Sequence, residues 1–214
     1  MSATAPTTES ATPGIAPSQT VGPFFLNCLL REDARRNTLV QPETAGERIR
    51  IEGRVLDGDG EPVPDALVEI WQADATGRYH HPAGMSASDR AAAQPAPTFI
   101  GFGRAGMDDA GAYWFETIRP GAVPFDADPA DQSGRMQAPH ISVMVFARGL
   151  LNSLATRLYF ADDPANDADP VLALVPAARR ETLLARCVSS DGRGAVYRFD
   201  IILQGAGETV FFNF

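Results

Sequence analysis

His140-Ile141-Ser142-Val143-Met144-Val145-Phe146-Ala147 is the stretch on which the fold class turns. Dense in Val, Ile, Met and Phe, it is the longest β-like run in the chain, and such side chains suit a pleated, half-buried surface. The same character spreads outward to 154–160 and 195–203. Toward the N-terminus, Ile49, Ile51 and Val55 fall on one face of a strand that ends at the turn Asp57-Gly58-Asp59-Gly60. The run 66–72 sets Ala66, Val68 and Ile70 against Leu67, Glu69 and Trp71. A second turn, Asp108-Asp109-Ala110-Gly111, introduces the aromatic-rich run 113–118, which Pro120-Gly121 closes, so at least six candidate strands are present. Seventeen prolines and nineteen glycines disfavour long helices between them. The expected fold is all-β: an antiparallel β-sandwich core with long loops and one short helix. That helix is placed at 177–186, after Pro176, with Leu183 and Leu184 packing inward. Residues 77–102 and 120–138 are long irregular loops, and on a β scaffold binding groups tend to sit in such loops.

The chain has 214 residues, 44% of them hydrophobic and 21% charged, with a formal net charge of −9. Residues 17–214 are enough for a single domain with a sizeable core. The scattered acidic balance argues against nucleic acid and anionic membranes, which attract basic faces. Cys28 and Cys187 are too few for a disulfide framework and read as buried or half-buried thiols in a reducing compartment. Residues 1–16, rich in Ser, Thr, Pro and Ala, lack both the basic and the apolar regions of a secretory signal. They read as a disordered tail and the chain as cytoplasmic.

Four segments make the reading specific. They are Pro17-Ser18-Gln19-Thr20-Val21-Gly22-Pro23-Phe24, the run from Glu69-Ile70-Trp71-Gln72 to Gly77-Arg78-Tyr79, the run from Ala138-Pro139-His140-Ile141-Ser142 through Arg148 to Arg157-Leu158-Tyr159-Phe160, and the ending Gly207-Glu208-Thr209-Val210-Phe211-Phe212-Asn213-Phe214. In this order they resemble the intradiol ring-cleavage dioxygenases, and the likeness covers residue 16 to the C-terminus. The resemblance implies a β-sandwich and dioxygen-dependent opening of catechol rings at a non-haem Fe(III) held by two Tyr and two His. Phenolate oxygens favour a trivalent iron, and imidazole also suits it.

At the positions that match the family's ligands, this chain carries Tyr79 and His140 but has Val123 and Ser142 in place of the second Tyr and second His. Residues two apart on a strand share a face, so a His-x-His pair can grip one metal; His140 with Ser142 cannot do so. Gln137 also stands where catalytic chains have an Arg. In the two-chain members of the family the iron sits on the β subunit and the α subunit completes the pocket. The resemblance is closest to those α subunits. It implies a homologous β subunit as partner, a higher oligomer of such pairs, Fe(III) on the partner, and the small aromatic substrate 3,4-dihydroxybenzoate. Thr20, Gly22, Pro23 and Arg148 match the pocket wall, with Arg148 offering a planar guanidinium to the ring carboxylate.

Without that resemblance each residue has a plainer reading. Tyr79 is a loop aromatic over the core, His140 a hydrogen-bonded core histidine, Arg148 a surface charge, and His80 with His81 a solvent-facing loop pair. Two rival functions stay open: a self-sufficient dioxygenase with an unusual ligand set, and a non-catalytic β-sandwich binding module.

Overall fold

A computed structural model describes residues 18–22, 24–80, 99–125, 134–192 and 194–213, and the structural statements that follow concern these. The expected tail, Pro23 and His81 lie outside them. The strands are β1 (Arg48–Leu56), β2 (Leu67–Trp71), β3 (Phe102–Gly106), β4 (Ala112–Ile118), β5 (Val123–Pro124), β6 (Met136–Gln137), β7 (His140–Phe146), β8 (Leu154–Phe160), β9 (Leu184–Asp191), β10 (Gly194–Arg198) and β11 (Ile201–Ile202). Helical structure is confined to α1 (Phe25–Leu29) and three 3-10 helices, Pro164–Ala168, Leu172–Leu174 and Ala177–Leu183. The chain is all-β in character, as expected.

Hydrogen bonding runs in the order β11-β1-β10-β9-β8-β7-β2-β3, with β4 on the other side of β1 and a separate β5-β6 ladder. The expectation of an antiparallel core is corrected in part: β1 runs parallel to β10 and β11, and β8 parallel to β9, while the other ladders are antiparallel. Parallel neighbours need a long crossover. Residues 161–183, with the three 3-10 helices, supply one between β8 and β9. The helix expected at 177–186 is likewise corrected. Within Ala177–Leu183 only Leu183 is buried, so no apolar stripe sustains an α-helix. From Leu184 onward the backbone is taken by strand pairing, with Tyr159 opposite Leu184 and Phe160 opposite Ala185.

The run 195–203 is one stretch in the sequence but two strands in the fold. At Phe199 the chain crosses over Gly53, where a Cβ would stand 1.8 Å from the Phe199 carbonyl oxygen. Tyr113 donates its hydroxyl to that same carbonyl at 2.6 Å, and Arg54 N–H donates to Asp200 Oδ1 at 2.9 Å. The break is therefore hydrogen-bonded on both sides and depends on a missing side chain.

Ile49, Ile51 and Val55 of β1 meet Val68 and Ile70 of β2, Phe115 of β4, Ile141, Val143 and Val145 of β7, and Leu158 and Phe160 of β8 in one core. Neighbouring positions on a strand point to opposite faces, so Tyr159 leaves that core and joins a smaller cluster with Ala138, Leu172, Val175 and Leu183. Cys28 and Cys187 are both exposed, which corrects the expectation of sheltered thiols. Among the described residues no helix is long and apolar enough to cross a membrane.

Candidate functional site

Strand β7 carries one group of expected site residues at its start and another just past its end. His140, at the start, lies opposite Tyr159, and Ser142 lies opposite Arg157 across the β7–β8 ladder. Alternation places all four side chains on the face turned away from the main core. Trp71 pairs with Ser142 from the other side and stacks its ring on Tyr79, with centroids 6.0 Å apart and planes within 11°. Val123 is buried and pairs with Gln137 in the β5–β6 ladder. The sequence-matched positions Tyr79, Val123, Gln137, His140 and Ser142 thus converge on one region.

The turn at 74–80 brings Tyr79 there. Asp74 Oδ1 accepts from the Thr76 N–H at 2.8 Å, the Thr76 hydroxyl at 2.7 Å and the Arg78 N–H at 3.0 Å, and Oδ2 lies 2.8 Å from His80 Nε2. Burial would raise the Asp74 pKa, but these hydrogen bonds together outweigh it and hold the carboxyl below its ordinary value. His80 is half-buried against Asp74 rather than solvent-facing, which corrects its plain reading. Gly77, at φ +79°, sits against Ala122, where a Cβ would stand 2.0 Å from the Ala122 carbonyl oxygen. That close approach fixes the Tyr79 turn beside Val123.

Sequence reasoning assigned no role to Arg157, which links the region. Its Nη1 donates to Gln137 Oε1 at 2.7 Å and to the Tyr159 hydroxyl at 3.3 Å. His140 is 4% exposed, and its Nδ1 lies 2.8 Å from the Ala138 carbonyl oxygen. Burial first, then the Arg157 charge, push its pKa down to about 4, so the imidazole is neutral near pH 7. Burial raises the Tyr79 phenol, with Arg157 pulling the other way. Asp169, fully buried, accepts from the N–H groups of Ala138 (2.8 Å), Val171 (2.9 Å) and Leu172 (2.6 Å) and from the Tyr159 hydroxyl (3.2 Å). A signal for Arg157 exists in the sequence, since it sits two residues before Tyr159, but it acquires meaning only once the β7–β8 register is known.

A ferric ion does not fit this donor set. Val123 offers no lone pair, Ser142 a neutral hydroxyl, and the guanidinium of Arg157 puts a positive charge on Tyr79, His140 and Tyr159 alike. Among the described residues no group of three or more His, Cys, Asp and Glu is gathered as metal ligands would be.

Past the other end of β7 lies the second group. The strand from His140 to Phe146 is about 20 Å long at the usual rise per residue. Beyond it, Gly149 turns at φ +89° and donates its N–H to Thr20 Oγ1 at 2.8 Å. Arg148 donates from Nε to Asp65 Oδ2, with the Arg148 side chain 60% exposed and that of Asp65 20%. Gly22 is exposed, accepts from the Phe25 N–H at 3.2 Å, and has nothing within 4 Å of where a Cβ would stand. Thr20 and Arg148, 128 residues apart in the chain, are therefore joined through Gly149, whereas Pro23 lies outside the described residues.

With this geometry in view, comparison with known proteins is informative. Residues 21–205 match the family model described as "Dioxygenase". The protocatechuate 3,4-dioxygenase alpha chain of Burkholderia cepacia is 42% identical over 207 residues, covering 92% of this chain and 96% of that one. The beta chain of the same organism is 38% identical over 183 residues, covering 84% of this chain and 74% of that one. Among solved structures, the dioxygenase domain of a dioxygenase–carbohydrate-binding protein fusion from Streptomyces sp. SirexAA-E aligns with a TM-score of 0.57 at 27% identity, covering 89% of this chain and 98% of that one. A match that spans most of the chain, together with a β core, shows that this chain belongs to the intradiol dioxygenase family.

Proposed function

We propose that this chain is the iron-free α subunit of an enzyme that opens 3,4-dihydroxybenzoate with dioxygen to 3-carboxy-cis,cis-muconate. Its partner is a homologous β subunit that holds Fe(III), and such pairs assemble into a higher oligomer. The chain forms one cytoplasmic domain over 17–214, its two sets of strands packed as the layers of a sandwich. The ring-opening chemistry is assigned to the partner's iron.

One observation carries this reading. The residues that match the pocket wall, Thr20, Gly22 and Arg148, are exposed at the far end of β7 from the centre at Tyr79 and His140. A surface so placed can serve only a reaction centre that another chain brings to it. Arg148 takes the ring carboxylate by charge-assisted hydrogen bonds, and Thr20 and Gly22 form the wall beside it. Relatives that bear the names of alpha and beta chains of one enzyme support a two-chain assembly.

The test is to produce the chain alone and together with a homologous β chain, and to measure iron in each separated polypeptide. The expected result is iron in the partner and ring cleavage only by the pair. An isolated chain that carries ferric iron, absorbs in the visible and cleaves catechols would overturn the proposal.

A further inference from the structure

Asp65 is a residue to which neither the sequence motifs nor the family match drew attention, yet the strand register places it with care. In the antiparallel β2–β7 ladder Leu67 lies opposite Phe146, and Trp71 opposite Ser142. Two residues beyond Leu67 is Asp65, and two beyond Phe146 is Arg148, so continuing the register sets one against the other. The ion pair between them is the product of that register.

The two partners differ in rigidity. Asp65 sits in a tight turn in which the Ala66 N–H donates to the Val63 carbonyl at 3.1 Å, and Pro64 restricts the backbone just before it. Its side chain is 20% exposed, whereas that of Arg148 is 60% exposed and rises from the turn after β7. The fixed carboxylate therefore holds the long, otherwise mobile guanidinium. The mode of contact matters as well. Among the described residues, Arg148 makes its hydrogen bond to Asp65 from Nε, which leaves the Nη1–Nη2 edge for a second carboxylate. We infer that Asp65 is the positioning residue for Arg148 and thereby sets the preference of the pocket for catechols that bear a carboxylate over uncharged ones. Pre-ordering one rotamer-rich side chain lowers the cost of binding, and a carboxylate on the Nε side favours that geometry. The inference rests on the pocket role proposed above for Arg148.

The experiment uses the assembled α/β enzyme with 3,4-dihydroxybenzoate and with catechol, comparing Asp65→Ala, Asp65→Asn, Asp65→Glu, Arg148→Ala and the double variant Asp65→Ala/Arg148→Ala. Asp65→Ala is expected to raise KM for 3,4-dihydroxybenzoate about fivefold to tenfold with kcat within about twofold, and to leave KM for catechol unchanged. Asp65→Asn should fall between Asp65→Ala and the parent, and Asp65→Glu should recover part of the loss. The double variant should be no worse than Arg148→Ala, because the two residues act as one unit. If Arg148→Ala raises KM while Asp65→Ala and Asp65→Asn leave it unchanged or lower it, the role of Asp65 is refuted and the pocket reading stands. If Arg148→Ala leaves KM unchanged, the pocket reading itself fails, and this inference with it.

Discussion

The two ends of β7 contrast within a single strand. At its start, His140, Tyr159, Arg157, Gln137 and Asp169 form a polar knot, buried at His140, Tyr159 and Asp169 and half-buried at Arg157 and Gln137. Past its end, Thr20, Gly22, Arg148 and Asp65 form an open surface held by single hydrogen bonds. The first region turns most of its polar groups on one another, with the buried Arg157 Nε left without a hydrogen-bond partner among the described residues. The second is exposed at Thr20, Gly22 and Arg148. The two regions are separated by the length of a strand and supported by different neighbours.

The largest expected effect tests whether the closed end is structural. Asp169→Ala removes the acceptor shared by three backbone N–H groups and one hydroxyl, three of those four contacts with the Asp169 Oδ1 atom. Buried donors left without partners should destabilise the fold by about 4 kcal/mol. Urea unfolding measures this, and a loss under about 1 kcal/mol would mean that the knot is not what holds this end together.

The next effect concerns pH. His140 has a folded pKa of about 4 against 6.5 when unfolded, so between these values the unfolded chain binds more protons and stability rises with pH. The contribution is complete above about pH 6.5, declines as pH falls toward about 4, and reaches roughly 3 kcal/mol at full extent. Arg157, Asp169 and Tyr159 face the ring and set its surroundings. Unfolding curves for the parent chain and for His140→Gln should diverge across that window. Parallel curves would show that His140 is not the group whose burial matters.

The smallest effect probes the open end. Thr20→Val removes the hydroxyl that accepts the Gly149 N–H, an exposed bond that water can replace, so stability should change by less than about 1 kcal/mol. In the assembled enzyme KM for 3,4-dihydroxybenzoate should rise about twofold to threefold. A stability loss as large as that of Asp169→Ala would erase the contrast between the two ends.

Much of the fold was legible along the chain, and where it was not, packing had chosen a residue for reasons that no local pattern displays. β8 spans the expected 154–160, and β7 begins at His140 as expected but ends at Phe146, one residue before the expected Ala147. β3 went unrecognised because two of its five residues are glycines. Gly103 is there since a Cβ would stand 2.8 Å from Ile70 Cγ1 and 2.9 Å from both Leu39 and Phe115. β9 went unrecognised because all but its first two residues are exposed, so its strand character comes from pairing with β10 rather than from a buried face. In the candidate site, neither the place of Arg157 between Gln137 and Tyr159 nor the pairing of Asp65 with Arg148 could be read from the sequence.

The sequence by itself determined the β character and the family, since these depend on residue type and on spacing within short segments. Only the tertiary structure decided the parallel crossovers, the bonding of Arg157 to Gln137 and Tyr159, and the pairing of Asp65 with Arg148. Each of these depends on which strand lies beside which and in what register. A shift of one residue would turn the side chains to the opposite face.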